Sequence, residues 1–436
     1  MSERTLGSLQ VAALLVSASY GIGFLFGSGE MALMHGMAGS IYGVATAVGM
    51  LVLALFASRL WRAGLPIWEM FGRAYGQRLQ SAVALLSIVW MAGVLAAQIQ
   101  GGLAVVGLLG VSGPMAYGMV LTLIYIASRL DLRFASGLFA ACLVASGLVL
   151  VYALVAANGV PIYASAVPAF VQDLSSFKPT RLLALVLAVG ILVCTGADYH
   201  QFVLAARRPR AATFGCILAG LGLLLIGFLP AAFVMAMNRA GSLHGLADAK
   251  QVVPFALAQV AGTFGTGADK LLLGALSAAA LGSGAAIVRA MTSALASATP
   301  GAHRTSQPVL AAVSIAVGAA LAARDQGIVD TMVSVNVIYI ASVGVVFAAL
   351  LRGIVVPVAH AGAIMATGFS VAFATYVAGW GGWLGESADI VSLVSGLGAS
   401  ATMALCCALY ANREPCLLYT SPSPRDRTRS RMPSSA

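Results

Sequence analysis

Four glycines and a carboxylate inside one apolar run are the first residues of this sequence that could do chemistry. In Gly21-Ile-Gly-Phe-Leu-Phe-Gly-Ser-Gly-Glu30, the glycines Gly21, Gly23, Gly27 and Gly29 fall within nine positions, and Glu30 follows at once. The surrounding run from Leu9 to Met37 is apolar. Each glycine weakens a helix by about 1 kcal/mol. In hydrocarbon, irregular backbone persists only where protein or a water-filled cavity satisfies its freed polar groups. A broken helix with an acid beside the break is therefore a candidate binding site.

A second stretch has the same character. Cys194-Thr-Gly-Ala-Asp-Tyr-His-Gln201 interrupts another apolar run with a glycine and a carboxylate, Asp198. Thr195 and Gln201 lie about one helical turn from Asp198, on its face. Paired interrupted helices in corresponding places are the best sequence pointer to a transporter's site.

The elements that position these breaks follow from apolar length, since about 20 apolar residues span a bilayer. Twelve spans are expected, at 9–36, 38–58, 80–110, 114–130, 134–157, 181–206, 212–237, 268–296, 307–323, 328–351, 355–379 and 388–411. The first break then lies in span 1 and the second in span 6. If spans 1–5 and 6–10 are repeats (9–157 and 181–351), their odd number makes them inverted in the membrane. Two extra helices at 355–411 complete a transporter domain, 1–411. A short interfacial helix is expected at 66–78, and short helices in the longer loops 158–180 and 238–267.

Composition agrees. The chain is 60% hydrophobic and 9% charged, with mean hydropathy +0.95, as in a polytopic helical membrane protein. The net charge of +10 sits in short loops between apolar runs, which argues for membrane orientation and against nucleic acid. With the N-terminus inside, 13 basic residues, among them Arg4, Arg59, Arg62, Arg129, Arg207 and Arg352, fall on the inner side. Six fall outside: Lys178, Arg181, Arg239, Lys250, Lys270 and Arg324. A multi-pass protein of the cytoplasmic (inner) membrane is expected. The six cysteines have no metal-ligand spacing. No motif combines a nucleophile, a base and an orienting group, so an enzyme is not expected. Residues 412–436 form a tail. From Cys416 to Asp426 it reads like a translated DNA-sequencing adapter, with an ordinary basic tail as the rival reading.

Three stretches resemble the sodium:solute symporter family, of the LeuT-type inverted-repeat fold in the APC superfamily. The first is Ser17-Ala-Ser-Tyr-Gly-Ile-Gly-Phe-Leu-Phe-Gly-Ser-Gly29, followed by Leu65-Pro-Ile-Trp-Glu-Met-Phe-Gly-Arg-Ala-Tyr-Gly-Gln77. The second is Gly196-Ala-Asp-Tyr-His-Gln-Phe-Val-Leu-Ala-Ala-Arg-Arg208. The third is Leu276-Ser-Ala-Ala-Ala-Leu-Gly-Ser283. The resemblance implies cation-coupled symport of a small organic solute by alternating access. It also implies a sodium ion held by carbonyls of Ser17, Tyr20 and Ala279 and a hydroxyl of Ser283. Gly282 lacks the second hydroxyl of the family's pair, and no acid stands in Phe134–Gly147, where the family usually has one. Phe202 replaces an arginine. A shifted match, Ala290-Met-Thr-Ser293, restores both hydroxyls but lies nearer the expected inner end.

Gly23, Gly27, Ser28, Glu30, Gln98, Thr195, Asp198, Tyr199 and Gln201 are the expected solute-binding residues. Several have a plainer reading. Glu30 and Asp198 suit the N-termini of half-helices, where a carboxylate is favoured. His200 is a packing residue or a proton site. Arg289 is either a fixed charge replacing sodium or a side chain reaching the inner headgroups. Only one of Gln98 and Gln100 can face the site, because residues two apart on a helix point about 200° apart. No organic cofactor is expected; sodium is the expected coupling ion and a proton the alternative. Two further readings stay open: a nucleobase-type permease of the same superfamily, and the transporter-like sensor domain of a truncated signalling protein. Oligomeric state is not readable from the sequence.

Overall fold

The computed structural model describes residues 4–130, 132–298, 307–324, 326–384 and 388–411. The tail 412–436, with its adapter-like stretch, lies outside the described residues.

Helices account for nearly all of the described chain. Span 1 is two half-helices, α1 (Ser8–Ser19) and α2 (Ile22–His35), separated at Tyr20-Gly21. Span 2 is α3 (Ile41–Ala63). The expected interfacial helix is α4 (Ile67–Tyr75), which buries Ile67, Phe71 and Tyr75 at four-residue spacing. Spans 3, 4 and 5 are α5 (Gln77–Leu108), α6 (Gly113–Arg129) and α7 (Leu132–Ala156). The long loop that follows contains α8 (Val160–Ala164) and α9 (Ala166–Asp173).

Span 6 is again two pieces, α10 (Pro179–Thr195) and α11 (Ala197–Leu204), bent by 42° at Gly196. Span 7 is α12 (Pro209–Ile226) with α13 (Leu229–Arg239). Then come α14 (Val252–Gly262) in the loop, and spans 8–12: α15 (Ala268–Ala298), α16 (Gln307–Ala322), α17 (Ile328–Leu351), α18 (Val358–Trp380) and α19 (Ala388–Ala411). Among the described residues, seven helical stretches are long and apolar enough to cross a membrane, and α10 with α11 makes an eighth. Of the remaining expected spans, α1, α6 and α16 have 12, 17 and 16 residues and α7 has 25.

Two bodies form. Spans 1, 2, 6 and 7 are a bundle in which α12 lies against α1 and α3, α10 against α3, and α11 against α1. The rest is a scaffold centred on α5, which α15, α16 and α17 flank. The two extra helices, α18 and α19, pair with each other and cover α17. This is the inverted-repeat architecture that the matched breaks imply.

Because successive spans alternate, α1 starts on the face that carries Arg4, Arg59, Arg62, Arg207, Arg208 and Arg210, here called the basic face. Near it the bundle has a core of its own. Val11 and Leu15 of α1 meet Met50, Leu53 and Leu60 of α3, Tyr199 and Val203 of α11, and Cys216 and Leu223 of α12. Towards the opposite face the bundle merges into the scaffold core. There Phe24, Ile41, Leu185 and Val189 share one cluster with Ile88, Leu95, Met332 and Tyr339.

Glycine permits close helix approach in the bundle. A Cβ at Gly215 of α12 would sit 2.5 Å from Val11 Cγ1 and 3.2 Å from the Ser8 carbonyl oxygen. At Gly222, two turns on, its nearest neighbour would be Val16 Cγ2 at 3.6 Å, an ordinary contact. Gly215→Ala should therefore destabilise by about 1–3 kcal/mol through overpacking. Gly222→Ala should be neutral or slightly stabilising, since alanine favours the helix. Thermal unfolding of the two variants in detergent checks this; equal midpoints would refute the close packing of α1 on α12.

Candidate functional site

The two breaks lie on the boundary between bundle and scaffold, and they differ in how their backbone is satisfied. At the second break the freed carbonyls are capped by side chains. The Tyr339 hydroxyl of α17 donates to the Thr195 carbonyl at 3.0 Å. The His200 Nε2 lies 2.9 Å from the Cys194 carbonyl oxygen, so the hydrogen bond fixes the tautomer with a proton on Nε2. The ring of His200 also stacks on Phe347, with centroids 5.6 Å apart. His200 thus has a structural task at the break.

At the first break the carbonyls are open. Gly21 is extended (φ −80°, ψ 178°), and α2 restarts with Leu25 N–H donating to the Gly21 carbonyl. Among the described residues, no backbone N–H donates to the carbonyls of Ser17 or Tyr20. These are the two backbone oxygens that the family resemblance gives to a cation. Ser283 of α15 faces the same place: a Cβ on Gly21 would lie 3.7 Å from its Oγ and 3.6 Å from Gln98 Nε2. A Cβ on Gly23 would lie 3.3 Å from Gln98 Nε2 and 3.5 Å from Met332 Sδ. The glycines therefore let α5, α15 and α17 close on bare backbone. Ala279, one turn before Ser283, is buried on α15. In the shifted alternative, Thr292 spends its hydroxyl on the Val288 carbonyl of its own helix, at 2.7 Å.

Gln98 and Gln100 separate as helix geometry requires. Gln98 reaches the first break, and its buried Oε1 has no protein hydrogen-bond partner. Gln100 turns to the connection between α16 and α17, where its amide lies 3.3–3.4 Å from the carbonyl oxygens of Ala322, Arg324 and Gln326.

Around the first break is an aromatic chain. Tyr20 and Phe24 have ring centroids 5.0 Å apart, and Phe24 and Tyr42 5.7 Å apart in an edge arrangement. The buried Tyr20 hydroxyl has no partner. Asp198 itself is in the first turn of α11 and its Oδ1, turned towards Gly196, is buried without a hydrogen bond.

Other expected residues are placed away from this centre. Glu30 accepts a hydrogen bond from the Ile328 N–H at 2.9 Å, so it caps α17 rather than its own half-helix. Gly27 lies beneath it, where a Cβ would come within 2.7 Å of Val329 Cγ2. Ser28 is buried and its hydroxyl has no partner. The Thr195 hydroxyl donates back to Ile191 at 3.0 Å. Gln201 is exposed. Arg289 Nη1 donates to the Leu130 carbonyl, just beyond α6 at the basic face, 3.0 Å away.

Opposite the basic face, Glu30 ties α2 to α17, and Arg181 of α10 pairs with Asp330 of α17 at 2.8 Å. Towards the basic face, Ser17 and Ala18 of α1, Gln201 of α11, and Ala286 and Ser293 of α15 are exposed. The polar ones, Ser17, Gln201 and Ser293, suit water better than lipid.

No known family's sequence profile and no curated protein sequence matches the chain. Solved structures do. Mhp1 in an inward-facing conformation is 16% identical, covers 94% of this chain and 92% of its own, and superposes with a TM-score of 0.59. A manganese transporter of Eremococcus coleocola is 14% identical, with 95% and 98% covered and a TM-score of 0.54. A Na+-coupled sialic acid symporter in an outward-open state is 14% identical, with 92% and 96% covered and a TM-score of 0.53. All three are membrane transporters. The chain is a multi-pass, all-α membrane protein of the LeuT-type fold.

The caps give a test. Tyr339→Phe leaves the Thr195 carbonyl bare and should cost about 1–3 kcal/mol. Glu30→Ala should cost a similar amount, and Glu30→Gln, which keeps an acceptor for Ile328, clearly less. Thermal-shift midpoints decide; equal values for the two Glu30 variants would refute the capping role.

Proposed function

We propose that this protein is a secondary active transporter of the sodium:solute symporter type, moving a small organic solute with sodium by alternating access. One observation carries the reading. The carbonyls of Ser17 and Tyr20 have no backbone donor among the described residues, with Ser283 facing Gly21 between the half-helices, while the Thr195 and Cys194 carbonyls at the second break are capped by Tyr339 and His200. Carbonyl and hydroxyl oxygens suit a hard monovalent cation, so the first break is the ion site. The Na+-coupled sialic acid symporter of the same fold supports this mechanism by analogy.

The solute would sit beside the ion, among Tyr20, Phe24, Tyr42 and Gln98. Glu30 and Arg289 are engaged elsewhere, which leaves Asp198 as the acid nearest the breaks. A neutral or cationic solute with an aromatic or hydrogen-bonding surface fits this lining better than an anion. A nucleobase-type solute is the second reading, and the Mhp1 fold neighbour, a nucleobase-cation-symport-1 transporter, favours it.

The basic face would be cytoplasmic in the inner membrane, by the excess of arginine there. The structure would then be inward-open: sealed outside by Glu30 and the Arg181–Asp330 pair, with the cleft open to the cytoplasm. Proton coupling is the alternative to sodium, and the unpartnered Asp198 Oδ1 is its best support.

Uptake into proteoliposomes separates the two. A sodium gradient at constant pH should drive accumulation, and Ser283→Ala should lower the apparent sodium affinity by tenfold or more. Accumulation that follows only a proton gradient, and is lost in Asp198→Asn but not in Ser283→Ala, would overturn sodium coupling.

A further inference from the structure

The residues just before α1 do more than lead into the membrane. Leu6 forms an isolated parallel bridge with the end of span 6: its N–H donates to the Ala205 carbonyl at 3.1 Å, and Arg207 N–H donates to the Leu6 carbonyl at 2.9 Å. Beside it, the Arg4 guanidinium lies over the Trp61 ring of α3, 4.2 Å from the centroid. Arg4 Nη2 also donates to the Trp61 carbonyl at 3.1 Å. The Trp61 indole closes the circuit by donating to the Ala206 carbonyl at 2.6 Å. The left-handed C-cap of α3 lies beside this contact. Gly64 has φ +71°, and a Cβ there would stand 2.9 Å from Arg4 Nη2. Gly7 then starts α1, its N–H bonded to Gln10 Oε1 at 2.8 Å.

The strap matters because of what it joins. The half-helices α1 and α11 have 12 and 8 residues, lengths at which an isolated helix is marginal. They meet over the bundle's private core, in which Val11 and Leu15 contact the layer holding Val203 and Ala206. The opposite side of α1, with Ala13, Ser17 and Ala18, is exposed. So α1 is anchored to the bundle alone at this end, by its core face and by the strap. Swinging α1 away from α11 would break two backbone hydrogen bonds and strip Arg4 from Trp61.

We propose that Arg4 and Trp61 are positioning residues that lock the basic-face half of span 1 to that of span 6, so that the two half-helices open and close together with spans 2 and 7 as one body. The inference rests on the transport reading for its purpose, but its mechanical content stands apart from it. Independent bending of α1 is the motion that it excludes.

Hydrogen–deuterium exchange of the full-length protein in lipid nanodiscs, with no ion or solute added, tests it. Arg4→Ala and Trp61→Ala should each accelerate exchange in both 8–19 and 197–207, by tenfold or more, while α15 and α17 keep their protection. Arg4→Lys, which retains a cation over the ring, should recover most of it. Trp61→Phe keeps the ring and removes only the donor to Ala206; it serves if Trp61→Ala does not fold, and should still accelerate 197–207. Acceleration confined to 8–19 would overturn the coupling, as would unchanged exchange in Arg4→Ala together with Trp61→Phe. Because no transport is measured, failure of the strap and failure of the transport assignment give different results.

Discussion

A backbone carbonyl inside a membrane protein must find a donor, a cation or water. That constraint decides most of this structure. Two helices are interrupted at mid-membrane, and every freed group near the breaks raises the same question. At Gly196 the protein answers with its own side chains, a phenol from α17 and an imidazole from α11. At Gly21 no backbone donor among the described residues answers for Ser17 or Tyr20, and the bare glycine faces a serine hydroxyl and an amide. The asymmetry of two otherwise matched breaks is the clearest functional statement in the fold. One break is closed by protein side chains, and the carbonyls of Ser17 and Tyr20 at the other have no backbone donor among the described residues, which is what the proposed ion site rests on.

Glycine makes the arrangement possible in a second way. Gly23 and Gly27 bring α2 against Met332 and Val329 of α17, and Gly215 brings α12 against α1. Close contact on both sides gives the bundle a rigid core near the basic face and a shared core with the scaffold at the other. A core of its own at one end is what would let the bundle move as one body in the proposed transport cycle. Glu30 belongs to the proposed seal. Its carboxylate holds the start of α17, so the acid that first drew attention to the break acts one step away from it.

Much of this was legible in the sequence. Apolar length located the spans, because hydrocarbon thickness is a fixed ruler. Glycine beside an acid in an apolar run located both breaks, because such a run has no other reason to contain them. Helix geometry required Gln98 and Gln100 to part, and they do. Partners far apart in the chain were not legible. Glu30 finds Ile328, Thr195 finds Tyr339, and Leu6 finds Ala205, each across long sequence separations that no local pattern encodes. Nothing in the local sequence marks Tyr339 as a cap or Trp61 as a partner of the N-terminal segment. The capping signal for Glu30 was correct in kind, but the helix capped belongs to the second repeat. Arg289 shows the same limit: its position on the helix face allowed two readings, and only the contact with Leu130 assigns it to the end of span 4.

The central claim is that the open backbone at the first break is a site reached by a cleft from the basic face. Ser283→Cys places a thiol at that site, and a membrane-impermeant maleimide applied to oriented vesicles reads which side reaches it, with the unsubstituted protein as background. The account predicts labelling from the cytoplasmic side, slowed by sodium but not by choline, and little labelling from outside. Labelling from neither side, or equal labelling with and without sodium, would contradict it.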